Sequence, residues 1–262
     1  MNALRVFWVG GLISYRALFN WLRPEIYIPT MLGSPLFQII FFAKLGDYAG
    51  VENDAFFVVG NALQVSAMAG IYGMTMTIAN ERYFGTLSSL LATPANRLAL
   101  FLGRAVPLIA NGLLISLFGF AVGSLLLDFV LPAEGLPGLG LVLVVTAFAC
   151  TSFGLLLGSI GLRARDVFFI SNLVYFLMLL LCGVNIRPEA LPGWMQAISY
   201  GLPLTRGIQA ARGMAIDNES FAQVAHLVWG ELTVGILYAA GAYLLFRMLE
   251  VEARRRASLE TY

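Results

Sequence analysis

Residues 79–97 read ANERYFGTLSSLLATPANR. About twenty-five apolar residues precede them and about thirty follow, lengths that each suit a bilayer crossing. A polar segment between two such runs would ordinarily be a plain loop, but this one is patterned. Asn80 or Thr86 is placed to cap a helix start. Leu87, Leu90 and Leu91 form an apolar ridge at i, i+3, i+4. Thr93-Pro94 marks a stop, because the residue before proline avoids the α region. Gly85 permits a sharp approach. The pattern predicts a short amphipathic helix over 84–96, held at a membrane surface and shaped as a knob for a soluble partner.

Composition agrees with a membrane setting. Of 262 residues, 59% are hydrophobic and only 12% charged, where a soluble domain carries roughly 25% charged residues. Mean hydropathy is +0.81. A chain this apolar must turn much of its surface to something other than water, so an all-α integral membrane protein is expected. The net charge of +1 gives no reason to expect nucleic acid. Cys150 and Cys182 lie in apolar runs without CxxC or Cys/His spacing, so neither zinc nor another metal site is expected.

Six apolar spans are expected, at about 26–44, 55–79, 98–127, 138–162, 167–186 and 223–247. Residues 1–24 lack the basic start, apolar centre and small-residue cleavage site of a leader peptide. Arg5, Arg16, Asn20 and Arg23 share one sector of a helical wheel and apolar residues fill the rest, which predicts a helix lying in the membrane interface until Pro24 breaks it. Arg5, Arg16, Arg23, Arg82, Arg97, Arg104, Arg163, Arg165, Arg247, Arg254, Arg255 and Arg256 fall on the side of the N terminus, against Lys44, Arg187, Arg206 and Arg212 opposite. The positive-inside rule then places both termini and residues 79–97 in the cytoplasm.

The longest stretch between spans, about 187–222, falls on the outer side. Leu191, Trp194, Met195, Ile198 and Leu202 have helical spacing, Pro203 interrupts, and Leu204, Ile208, Ala211 and Met214 resume it. Two short helices are expected, re-entering the membrane or packed on its outer edge.

Two of these segments carry a resemblance. Glu81, Gly85, Thr86, Leu87, Leu90, Leu91, Pro94 and Arg97 fit the cytoplasmic signature of ABC-2 type exporter permeases, and Pro192, Trp194, Pro203, Leu204, Thr205 and Arg212 resemble the family's second signature. The chain from 1 to 262 looks like one such transmembrane domain, similar in length and loops to daunorubicin-resistance-like drug and natural-product exporters. The resemblance implies a permease subunit in a bacterial inner membrane. It would pair with a second permease, identical or different, and dock on two ATP-binding subunits through a coupling helix at 84–96. The cargo would be amphipathic, lipid-like or drug-like, leaving the cytoplasm or inner leaflet. Polysaccharide or lipo-oligosaccharide export is the alternative.

ATP and magnesium are expected in the partner, not here. A P-loop needs a lysine after its glycines, and the single lysine, Lys44, sits in FFAKLGD without them. Neither a nucleophile elbow nor paired catalytic groups stand out, so the chain is not expected to be an enzyme. An ion-gradient carrier would want several ionisable groups in its spans, and Glu231 alone lies deep in one. Asn61, Gln64, Asn111, Asn172, Tyr175 and Glu231 are candidates to line a path or to tie helices together.

Overall fold

The computed structural model describes residues 3–20, 25, 28–50, 52–83, 97–127, 129, 131, 135–161 and 167–256. Among them every regular element is helical. Helix α1 (Ala3–Asn20) is followed by a π-helical turn, Ile28–Gly33, that runs into α2 (Ser34–Ala49). Then come α3 (Asp54–Tyr83), α4 (Arg97–Leu126), α5 (Leu136–Gly161) and α6 (Val167–Leu181). A short 3-10 turn (Pro188–Ala190) leads to α7 (Gly193–Gly201), α8 (Thr205–Ala215) and the long α9 (Phe221–Arg256). The segment 84–96 lies outside the described residues.

Helix α3 is the hub: it packs against α2, α4, α5, α6 and α8, while α9 packs mainly on α5. Within the chain, 78% of α3's apolar window is buried, against 17% for α2 and 22% for α9. The rim helices therefore leave most of their apolar surface for lipid or another subunit. Small residues set the spacing, as expected where lipid removes the usual hydrophobic drive between helices. A Cβ on Gly154 of α5 would stand 2.6 Å from the Ile71 carbonyl of α3. Gly103 of α4 meets the Phe7 carbonyl in the same way, which docks α1 on α4.

Among the described residues, five helices are long and apolar enough to cross a bilayer: Ile28–Ala49, Asp54–Thr77, Leu100–Leu126, Leu136–Gly161 and Phe221–Met248. The remaining expected span, 167–186, differs. Among the described residues its helix runs from Val167 to Leu181. Gly183 turns the chain at φ 80°, and Cys182, Gly183 and Val184 continue as buried non-helical backbone. Such backbone is tolerated at membrane depth only where the protein covers it and satisfies its carbonyls. Both conditions are met by a side chain from α8.

Candidate functional site

That side chain is Arg212, in the last turn of α8. It is 8% exposed. Its Nη1 donates to the Gly183 carbonyl at 2.6 Å and its Nη2 to the Val184 carbonyl at 2.8 Å. Nε and Nη2 also donate to the Phe56 carbonyl of α3, at 3.3 and 2.9 Å. The guanidinium lies 3.4 Å from the centroid of the Phe56 ring. Burial, and then the charge of Arg187, push its pKa down to about 9, which leaves it a cation at neutral pH. Three carbonyls and a ring face together take the place of a counter-ion. The planar fork of arginine suits this multiple contact where a lysine ammonium would not.

The opposite end of α8 meets a buried carboxyl group. Glu231, from α9, is fully buried. Its Oε1 accepts the Leu204 N–H at 2.6 Å, and its Oε2 is buried without a hydrogen-bond partner among the described residues. An acid at a helix N-terminus complements the unpaired amides and the positive end of the dipole. Leu204, just before α8, has φ 95° and ψ −36°. For a branched non-glycine residue this costs about 1–3 kcal/mol and survives only when its surroundings enforce it. Here the enforcing contacts are the Glu231 bond and complete burial of the Leu204 side chain. Glu231 thus ties α9 to the start of α8. Pro203, next to it, offers its carbonyl to Cys182 at 3.7 Å.

Around Arg212 the surface is paired. Arg187 holds Glu52 with Nε–Oε1 at 2.6 Å and Nη2–Oε2 at 3.2 Å, and its guanidinium lies 5.3 Å from the centroid of the Phe56 ring. The Arg187 hydrogen bond, and then its charge, hold the Glu52 carboxyl below the usual carboxylate range against a smaller desolvation effect that acts the other way. Pro192 precedes α7, and Trp194 on α7 is exposed.

A second polar region runs along α2, α3 and α6. Tyr175 hydroxyl donates to Gln38 Oε1 at 3.0 Å; Gln38 Nε2 donates to Asn61 Oδ1 at 2.9 Å; Asn61 Nδ2 donates to Asn185 Oδ1 at 2.9 Å. Gln64 is buried, with its Nε2 reaching the Tyr175 carbonyl at 3.4 Å and its Oε1 without a partner. One to two turns further along, Tyr72 hydroxyl donates to Asn172 Oδ1 at 2.9 Å, and Asn172 is exposed. Asn61 and Gln64 are therefore interior ties, whereas Tyr72, Asn172 and Tyr175 reach the rim of the seam. Gln38 and Asn185 complete the chain of bonds and were missed in the sequence. A lone amide inside the apolar run SPLFQIIFF was the available signal for Gln38.

A cleft between α3, α4, α5 and α9, lined by Met74, Phe101, Phe148, Leu155, Tyr243 and Phe246, has a volume of about 30 Å³. That admits a water or two, not a drug-sized molecule, which needs at least about 300 Å³.

Of the first expected signature, Gly85, Thr86, Leu87, Leu90, Leu91 and Pro94 lie outside the described residues. Glu81 falls in the last turn of α3 and Arg97 opens α4.

The ABC-2 type transporter family profile matches residues 11–216, from α1 through α8. The chain belongs to the ABC-2 type transporter family. Within it, a probable multidrug ABC transporter permease of Escherichia coli K12, YbhR, is 25% identical over 194 residues, covering 73% of this chain and 52% of the relative. Its counterpart in Escherichia coli O157:H7 matches to the same degree. The chain spans about half the length of these curated relatives. The profile ends before α9 and so includes Arg212 but not Glu231. This ABC-2 transporter is a multi-pass membrane protein by both family and helix composition.

Proposed function

We propose that the chain is the membrane-spanning subunit of an ATP-driven exporter for amphipathic, drug-like or lipid-like cargo. The observation that carries this reading is the family match over 11–216, laid on a fold with five membrane-length helices. Two ATP-binding subunits, holding ATP and magnesium, drive it from the cytoplasm through 84–96. The arginine asymmetry supports that orientation, with both termini inside and the α7–α8 hairpin outside. The absent P-loop lysine supports an energy source in another polypeptide.

The cargo path is proposed to run along the α3–α6 seam, shared with a second permease subunit. An exposed amide and half-buried phenols in the middle of apolar helices sit poorly against lipid tails. The seam's groups, Gln38, Tyr72, Asn172 and Tyr175, are uncharged donors and acceptors. They suit hydroxyl or amide groups on a largely apolar molecule. The relatives' designation as probable multidrug permeases supports this class over a polysaccharide.

The test is reconstitution in lipid nanodiscs. The chain alone is expected to hydrolyse no ATP. With its ATP-binding subunit it should show magnesium-dependent hydrolysis that amphipathic cargo stimulates. Leu90→Asp should abolish co-purification of that subunit while leaving membrane insertion intact, because a carboxylate in an apolar cleft is costly. A chain that inserts and moves cargo without any ATP-binding partner would overturn the proposal.

A further inference from the structure

The hairpin before α9 consists of two helices fastened in different ways. α8 buries nine of its eleven residues, whereas α7 buries Ser199 alone. α8 is locked at its start by Glu231 and at its end by Arg212. Between them, Gly207 lies so close to Thr146 of α5 that a Cβ has no room. α7 is fastened at its last turn. There the Ser199 carbonyl accepts from Thr205 Oγ1 at 2.7 Å, the Tyr200 carbonyl from Arg206 Nη1 at 2.7 Å, and the Gly201 carbonyl from the Tyr238 hydroxyl at 2.9 Å.

Toward its N-terminus the fastening is weaker. Gln196 Nε2 bonds to the Leu191 and Glu189 carbonyls, which belong to the approach to α7 itself. Trp194 and Ile198 are exposed. The turn before α7 meets the rest of the hairpin through the Glu189 carboxylate, where Oε1 accepts from Gln209 Nε2 of α8 at 3.1 Å and from the Tyr200 hydroxyl at 3.5 Å. Both bonds are open to solvent. At the corner between the two helices stands Leu204, held at φ 95° by its bond to Glu231.

We infer that the hairpin is a lever in which α8 is a fixed strut, the first turns of α7 are the moving arm, and Glu231 is the positioning residue that holds the fulcrum at Leu204. Glu189 is the releasable catch. Buried main-chain bonds to charged groups open rarely, whereas solvent-exposed bonds on a segment with few buried contacts open readily. In the exporter reading, on which only its purpose rests, the arm opens and closes the outward end of the path.

The experiment is amide hydrogen exchange on the full chain in lipid nanodiscs, without nucleotide or cargo, so its outcome is independent of whether the chain exports anything. Amides 205–215 are expected to match the protection of α3 and α5, and amides 193–198 to exchange about tenfold faster or more. Glu231→Leu should release amides 204–208 selectively, and Glu231→Gln, whose amide oxygen still accepts the Leu204 N–H, should largely restore them. Glu189→Ala should speed exchange at 188–198 and leave 205–215 unchanged, a result readable even if Glu231→Leu fails to fold. Equal protection across α7 and α8, or Glu189→Ala releasing α8 with α7, would overturn the inference.

Discussion

The two ends of α8 and the seam along α2, α3 and α6 are both polar regions in an apolar molecule, yet they are built on different chemistry. At α8 the groups are ionisable, deeply buried and met by main chain: Arg212 by three carbonyls, Glu231 by the Leu204 N–H at the helix start. Along the seam they are neutral, compensated largely by one another, and open at the rim through Asn172. A buried charge is costly unless several strong partners surround it, so it is found where backbone ends supply those partners. A neutral amide or phenol costs less to expose and re-pair, so it can serve a changing surface. Charge here fixes the frame, and neutral polarity faces whatever moves past it.

That contrast is open to direct attack. The largest expected effect is at Arg212. Arg212→Ala leaves the Gly183 and Val184 carbonyls buried without their donor, at about 1–3 kcal/mol each, and should prevent accumulation of folded protein or lower its melting temperature sharply in detergent. Arg212→Lys should fall between, because one ammonium cannot fork across three carbonyls. Parental melting in the alanine variant would remove the frame half of the contrast.

Glu231→Leu should cost less, about 1–3 kcal/mol, from the Leu204 N–H left buried without an acceptor. Glu231→Gln should cost a fraction of that. Melting curves of the two variants side by side check the order, and a glutamine variant as damaged as the leucine one would show that charge, not the hydrogen bond, is what α8 requires.

Asn172→Ala breaks one interhelical bond at the seam's rim. Such bonds average about 0.6 kcal/mol in membrane helices, so melting should hardly change, while cargo stimulation of ATP hydrolysis in the assembled transporter should shift. A drop in stability comparable to that of Glu231→Leu would make the seam part of the frame.

The smallest effect belongs to the surface pair. Glu52→Gln should cost at most about 1 kcal/mol, discounted further because the Arg187 side chain is 61% exposed. The sign with pH is definite. Folding lowers the Glu52 pKa, so the pair's contribution is present above the unfolded value of 4.5 and is lost as pH falls below it. The stability difference between parent and variant should therefore vanish on acidification from pH 5 downward. A difference that grows instead would reverse the assigned shift.

Much of the architecture was legible in the residues. Long apolar runs mark helices because a bilayer leaves the backbone no other partner over such lengths, and the runs around Gln64, Ser116 and Thr146 appear as α3, α4 and α5. Pro203 separates two helically spaced stretches, and helices lie on either side of it. Within the run 167–186 the helix gives way to buried coil after Leu181, a change that apolarity does not mark. Leu181 and Val184 are equally apolar, and the break between them depends on a carbonyl partner supplied from 28 residues downstream. Glu231 was visible as an acid in a span, but whether it faced a path or a helix end could not be decided from its neighbours in WGELTVG.

The amino-acid sequence alone determined that this is an all-helical membrane chain of the ABC-2 type, because apolar length, the placing of arginine and the two signatures are local properties of the string. The tertiary structure decided which polar groups hold and which face outward. Arg187 and Arg212 show why. They lie against one phenylalanine ring, and nothing in their local sequence ranks one above the other. Yet Arg212 closes three buried carbonyls while Arg187 pairs with a surface carboxylate. Burial and partner come from chain segments far apart in sequence, and they set whether a charge is part of the frame or merely decorates it.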